Sequence, residues 1–263
     1  MTIDFHAHCF PDRICEKAMQ QLIKNSGIVN PFTNGTISDT RRHMKEHNVD
    51  KAVICNIATN AKQQTNVNNF AIENNSDDII MFGSVFPFAE DAIEELHRIK
   101  SSGLKGIKLH PDYQDFFVDD ERLFPIYETV GKLDLITVFH AGQDSGIPEP
   151  VHATPDRMKN ILPLFSGAPV VAAHFGGWLQ WYDVEKYLVG ENIYFDTSYC
   201  MGRIPKFQAE RMIKNHGSEK ILFGSDLPWS SCEYERGFIE CMELEEHEKE
   251  NIFCNNAKRL LGI

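Results

Sequence analysis

Residues 135–140, Leu-Ile-Thr-Val-Phe-His, are a short β-branched and aromatic run that closes on a histidine, and residues 104–110, Leu-Lys-Gly-Ile-Lys-Leu-His, close in the same way. Both read as buried strands whose last position carries an imidazole. Working outward from them, runs of the same kind occupy 2–6, 51–57, 79–86, 170–174, 192–196 and 220–225. Turn residues follow several of these, and then segments with helical spacing, as in Ala92, Ile93, Leu96 and Ile99. Short strands alternating with helices indicate βα units on a parallel sheet. Eight of them in 263 residues match the size of a closed (β/α)8 TIM barrel. No long Pro/Gly/Ser linker divides the chain, so the expectation is an α/β fold in one domain over residues 1–263.

The stretch 25–35, rich in Pro, Gly and Asn, falls inside the first βα connection, where a long loop stands over the barrel mouth and serves as a substrate wall or lid. The acidic stretch 233–250 reads as the solvated face of the last helices. Residues 251–263, with Ile252, Phe253, Leu260 and Leu261, read as a closing helix.

Charge narrows the function classes. Lys and Arg total 26 against 38 Asp and Glu, a formal charge of −12, which repels phosphate backbones and anionic lipid and argues against nucleic-acid or membrane-surface partners. A small-molecule substrate is the expected partner. Seven scattered cysteines, Cys9, Cys15, Cys55, Cys200, Cys232, Cys241 and Cys254, never spaced C-x-x-C, fit reduced thiols. With no signal-peptide pattern and no long apolar run, the expected location is the cytoplasm. A homodimer is left open, since the 18 phenylalanines do not reveal which are exposed.

The eleven histidines point to the chemistry. The first run continues through Asp4-Phe5-His6-Ala7-His8, and in a regular strand Asp4, His6 and His8 share one face while Phe5 and Ala7 turn to the surrounding helices. The other strand ends supply His110, His140, His174 and Asp226. In a barrel all C-terminal strand ends surround one mouth, so these residues converge. Imidazoles and a carboxylate converging on a point make a first-row metal site, with Zn²⁺ the expected ion. Taken singly, each histidine reads equally as a core residue with a satisfied hydrogen bond. His43, His47, His97, His152, His216 and His247 lie away from strand ends and read as packing or solvent-facing.

These motifs run in order along the chain: DFHAH at 4–8, GIKLHP at 106–111, VFHAG at 138–142, AHFGG at 173–177, FGSDLPW at 223–229 and the terminal NNAKRLLGI. With them the chain resembles the amidohydrolase superfamily, in the amidohydrolase 2 branch that includes aminocarboxymuconate semialdehyde decarboxylase and related lactonases. The resemblance implies that His6, His8, His140 and Asp226 ligate one metal ion. It also implies that His174 steers or deprotonates the metal-bound water, and Asp226 could then carry the proton to a leaving group. In some branches of the superfamily a fourth-strand lysine is carboxylated and bridges two metals, so Lys108 and His110 keep a second metal open. In the branch resembled here one metal is usual. His110 then reads as a substrate contact or a neighbour of the ligands, and Lys108 as a buried charge paired with a carboxylate such as Asp4.

Loop residues placed to meet a ligand are Tyr113, Trp178, Trp181, Arg203 and Trp229. Arg203, just after the seventh strand, is the expected carboxylate partner, because guanidinium forks bind carboxylates in a bidentate way; the alternative is an ordinary surface arginine. Trp178 and Trp229 either wall the pocket or pack the βα loops. Asp196 reads as a structural carboxylate that holds a loop or a histidine, and Cys9 as a small filler. The leading expectation is a metal-dependent hydrolase acting on an amide, ester or lactone. The alternative on the same site is non-oxidative decarboxylation of an unsaturated or aromatic acid. That chemistry needs firm carboxylate clamps, and Arg203 is the only clear arginine in the strand-end loops. A barrel that binds without turnover would show an incomplete ligand set, and here every position is filled.

Overall fold

A computed structural model describes residues 1–27 and 30–263. The strands are β1 (Ile3–Ala7), β2 (Lys51–Cys55), β3 (Ile79–Phe82), β4 (Gly106–Leu109), β5 (Ile136–Phe139), β6 (Val170–Ala172), β7 (Tyr194–Asp196) and β8 (Ile221–Leu222). Each falls within one of the runs read from sequence or overlaps it. All pair in parallel and in chain order. The circle closes at both seams. Gly83 N donates to Gly106 O at 2.9 Å between β3 and β4, and Phe5 N donates to Phe223 O at 2.7 Å between β1 and β8. The helices are α1 (Asp12–Ser26), α2 (Ile37–Glu46), α3 (Ala61–Asn74), α4 (Ala92–Ser101), α5 (Phe124–Leu133), α6 (Pro155–Ile161), α7 (Trp181–Tyr187), α8 (Lys206–His216), α9 (Cys232–Glu240), α10 (Glu246–Glu250) and α11 (Asn256–Leu261). The fold is a TIM barrel.

Two apolar clusters follow from the strand alternation. Val53, Phe82, Val138, Val171 and Leu222 fill the barrel with Ile3 and Phe5, and Ala257 and Leu261 of α11 pack against this interior. Ile54, Met81, Leu109, Phe139, Ala172 and Phe223 belong to the larger cluster between sheet and helices. The closing segment 251–263 is a π-helical turn, Asn251–Asn255, running into α11.

β1 departs from the alternation expected of it. Asp4 pairs with Ala52 but Ala7 with Ile54, so three steps on β1 match two on β2, a bulge of one residue. Phe5 therefore lies in the barrel interior beside Phe82 rather than facing the helices. Asp4 turns outward, accepting from Ser225 N at 2.9 Å and from Ser225 Oγ at 2.5 Å. The extra residue lets His6 and His8 both reach the mouth.

Two other expectations change. The first βα connection holds α1 as well as the 25–35 stretch, and α1 and α3 both wall the mouth; Ile28 and Val29 lie outside the described residues. Within the acidic stretch 233–250, Glu235 is not solvated but 0% exposed. Its carboxylate accepts from Cys200 N at 3.2 Å, Met201 N at 3.0 Å and Ser230 Oγ at 2.7 Å, tying the loop after β7 to α9. The seven cysteines are free. Among the described residues, no helix is long and apolar enough to cross a membrane.

Candidate metal centre

The strand ends deliver His6, His8, His110, His140, His174 and Asp226 to one cavity of about 890 Å³. Two of them, and the neighbouring Tyr199, sit on left-handed backbone: His174 has φ +60, Asp226 +66 and Tyr199 +55. Left-handed conformation at non-glycine residues is rare and concentrates where side chains must be aimed. The Asp226 turn is held by its N–H donating to His6 O at 2.7 Å.

Hydrogen bonds to groups that only accept fix which ring nitrogen carries each proton. His6 Nδ1 lies 2.8 Å from Asp196 Oδ2, His8 Nδ1 2.8 Å from Cys55 O, His174 Nδ1 2.9 Å from Ser198 O, and His140 Nε2 3.1 Å from Gln143 O. The opposite nitrogen of His6, His140 and His174 is then a lone pair, that of His6 also facing Lys108 Nζ. The ring atoms face one another and a carboxylate: His8 Nε2 is 3.1 Å and His6 Nε2 3.5 Å from Asp226 Oδ1, and His140 Nδ1 is 3.1 Å from His174 Nε2. Burial lowers the pKa of His6 to about 4, helped by Lys108 and opposed by Asp196, and burial also lowers His140 and His174. Asp226 falls to about 2: burial opposes this, but the His8 hydrogen bond and the neighbouring histidines outweigh it. Neutral imidazoles and an ionised carboxylate with converging acceptors suit a cation. The donor atoms of His6, His8 and Asp226 lie within 4.8 Å of one another.

Lys108 adds a cation of its own. It is 1% exposed, and its Nζ is 3.1 Å from His6 Nε2. The expected pairing with Asp4 is not made, because the β1 bulge turns Asp4 away; among the described residues Lys108 has no carboxylate within ion-pair distance. Burial lowers its pKa. His110 stacks on His140 with centroids 4.1 Å apart and planes 5° apart. Tyr113 N donates to its Nδ1 at 3.4 Å, which leaves Nε2–H facing Asp144 Oδ2 at 3.5 Å. The donor atoms of His110, His140 and Asp144 form a second group within 4.8 Å. Sequence reasoning passed over Asp144. The available signal was its position four residues after His140, where its carboxylate caps a turn by accepting from Gly146 N at 2.7 Å.

Tyr113, Trp178 and Trp229 line the cavity. Trp181 does not; its Nε1 donates to His174 O at 3.0 Å. Arg203 is also absent from the lining: its guanidinium lies 3.7 Å over the Tyr199 ring and donates to Met201 O at 3.2 Å. Tyr199 stands between it and the cluster, so Arg203 does not clamp a carboxylate in this geometry. Asp196 takes the structural part expected of it.

A TIM barrel with histidines and an aspartate gathered at its strand ends defines the class of metal-dependent amidohydrolase-type enzymes. Residues 3–263 match the amidohydrolase family model, and the chain belongs to that family. No curated protein matches the chain. Solved structures show the same fold at low identity. 5-Carboxyvanillate decarboxylase from Sphingomonas paucimobilis has TM-score 0.76 at 15% identity, covering 100% of this chain and 99% of that one. A dihydroxybenzoic acid decarboxylase from Polaromonas sp. JS666, with bound manganese and 2-nitroresorcinol, has TM-score 0.73 at 17% identity, covering 99% and 96%. A putative 2-pyrone-4,6-dicarboxylic acid hydrolase from Pseudomonas putida has TM-score 0.69 at 16% identity, covering 99% and 97%.

Proposed function

We propose that the protein is a hydrolase of a small-molecule amide, ester or lactone, with one Zn²⁺ held by His6, His8, His140 and Asp226. The observation that carries this reading is the gathering of the His6, His8 and Asp226 ligand atoms within 4.8 Å of one another, with the facing nitrogens of His140 and His174 in the same cavity. A bound divalent cation supplies Lewis acidity, polarising a carbonyl and lowering the pKa of water to about 7. The chain's own residues do the rest. Asp196 and Cys55 O hold the His6 and His8 rings so that Nε2 points to the centre. His174, its Nδ1–H committed to Ser198 O, offers Nε2 as the base that takes a proton from the attacking water. Asp226 relays that proton from His174 to the leaving group, so the proton lost by the water is the one the leaving group gains. Trp178, Trp229, Tyr113 and His110 wall the substrate.

Decarboxylation on the same site is the second reading. It is favoured by the buried Lys108 lining the cavity, which has no carboxylate within ion-pair distance and in its charged form could hold one. The position of Arg203 outside the lining weighs the other way. A panel of lactones, esters and amides, run beside aromatic and dienoic acids, separates the two. Ester, amide or lactone turnover lost on chelation and restored by Zn²⁺ supports hydrolysis; CO₂ release from the acids overturns it.

A further inference from the structure

We infer that the cavity contains a second subsite, between α1 and α3, that takes an apolar acyl or aryl chain of the substrate. The inference rests on the reading above only in placing the reacting carbonyl at the histidine and aspartate cluster. A cavity of about 890 Å³ is near the top of the roughly 300–1,000 Å³ range that encloses drug-sized ligands, so a single-ring acid leaves much of it empty. The unfilled part has a defined surface. On α1, Ile14, Ala18 and Leu22 line the cavity at spacings of four residues, a stripe about 12 Å long. Val67 and Phe70 of α3 line the same cavity, with the uncharged amides Gln63, Asn66 and Asn69 of that helix at its edge.

The α1 stripe is not a core face left over. The buried side chains of this helix are Cys15 and Met19, and they pack on the turn at Gly35, where a Cβ would meet Met19 Sδ at 2.8 Å. Ile14 is 48% exposed on the other side. An apolar stripe kept open to water is matched by an apolar occupant. The ionic residues in this outer part, Arg13 and Glu73, are exposed and of opposite sign, so neither an anionic nor a cationic tail is favoured. The lining is continuous from this stripe to the strand ends, which makes the occupant an extension of the substrate.

The test is calorimetric titration of the Zn²⁺-loaded protein with straight-chain carboxylates from acetate to octanoate. Affinity is expected to rise about threefold to fourfold per methylene over several steps. Ala18→Trp, which fills the subsite, removes the gain for octanoate and leaves acetate unchanged. Leu22→Gln, at a partly exposed position that tolerates polarity, weakens octanoate alone and serves should the tryptophan variant not fold. Affinity flat with chain length, or both variants weakening acetate and octanoate equally, overturns the inference. So does a flat series accompanied by a doubled mass in light scattering, since a second copy would then cover α1. Chain-length dependence that persists without Zn²⁺ supports the subsite, and an acetate affinity that Zn²⁺ leaves unchanged counts against the metal reading alone.

Discussion

His140 Nδ1 and His174 Nε2 face each other at 3.1 Å although neither carries a proton, because each ring gives its single N–H to a backbone carbonyl, Gln143 O and Ser198 O. Two lone pairs meet where a cation belongs. In the proposed division, the His140 atom binds the ion and the His174 atom takes the proton. His174→Gln is therefore expected to retain bound metal while kcat falls by about 10²–10⁴. Metal analysis and turnover on the same preparation check this; loss of the metal itself would make His174 a ligand.

Asp196 lies 2.8 Å from His6 Nδ1, and in the proposed centre it acts on the metal through that ring. Asp196→Asn preserves the shape but no longer fixes the ring proton on Nδ1. Metal affinity is expected to drop by about 10–100-fold with the fold intact. Competition with a chromophoric chelator measures the drop, and an unchanged affinity contradicts the role.

In the proposed centre Lys108 competes with the metal for His6 Nε2, 3.1 Å away, and in its charged form repels a dication. Lys108→Met is expected to raise Zn²⁺ affinity by at least about tenfold. Removing a buried cation that has no carboxylate partner should also stabilise the metal-free protein by about 1–3 kcal/mol. Weaker metal binding in this variant would show Lys108 supporting the centre.

Glu235 gives a pH dependence whose sign can be worked out. Burial raises its pKa to about 7, opposed by hydrogen bonds from Ser230, Met201 and Cys200. The folded state thus holds the proton more tightly than the unfolded state, so this group's contribution to stability is present at low pH and lost as pH rises from about 4.5 to about 7. The loss is at most about 3 kcal/mol. Glu235→Gln, whose amide oxygen and NH₂ can meet the same N–H groups and Ser230, should flatten that slope. The difference between the two urea-unfolding profiles across pH 5–8 isolates it, and parallel profiles would refute the assignment.

Much of this architecture was legible because burial on both faces makes barrel strands into dense apolar runs, so all eight could be read. The strand-end histidines and Asp226 converged for the same reason, since the barrel brings every strand end to one mouth. What stayed hidden depends on local geometry that composition does not encode. The β1 bulge breaks the two-residue period, so Asp4 and Phe5 exchange sides. Arg203 follows a strand end, but the Tyr199 ring holds its guanidinium outside the cavity. Glu235 is buried within a run of acids that reads as solvated, because three hydrogen bonds from the loop after β7 and Ser230 satisfy it. α1 lies before the 25–35 stretch that reads as the wall, and its lining residues Ile14, Ala18 and Leu22 show that one of its faces borders the cavity.

The central claim is that His6, His8, His140 and Asp226 bind one divalent ion. Its most direct test is titration of the metal-stripped protein with Zn²⁺, read by calorimetry and by thermal unfolding. One equivalent should bind, and at a hundredfold excess of free Zn²⁺ over Kd the folded state should gain about 2.7 kcal/mol. Both signals should disappear in the His6→Ala, Asp226→Ala double variant. Two equivalents, no binding, or binding that survives in the double variant would contradict the account.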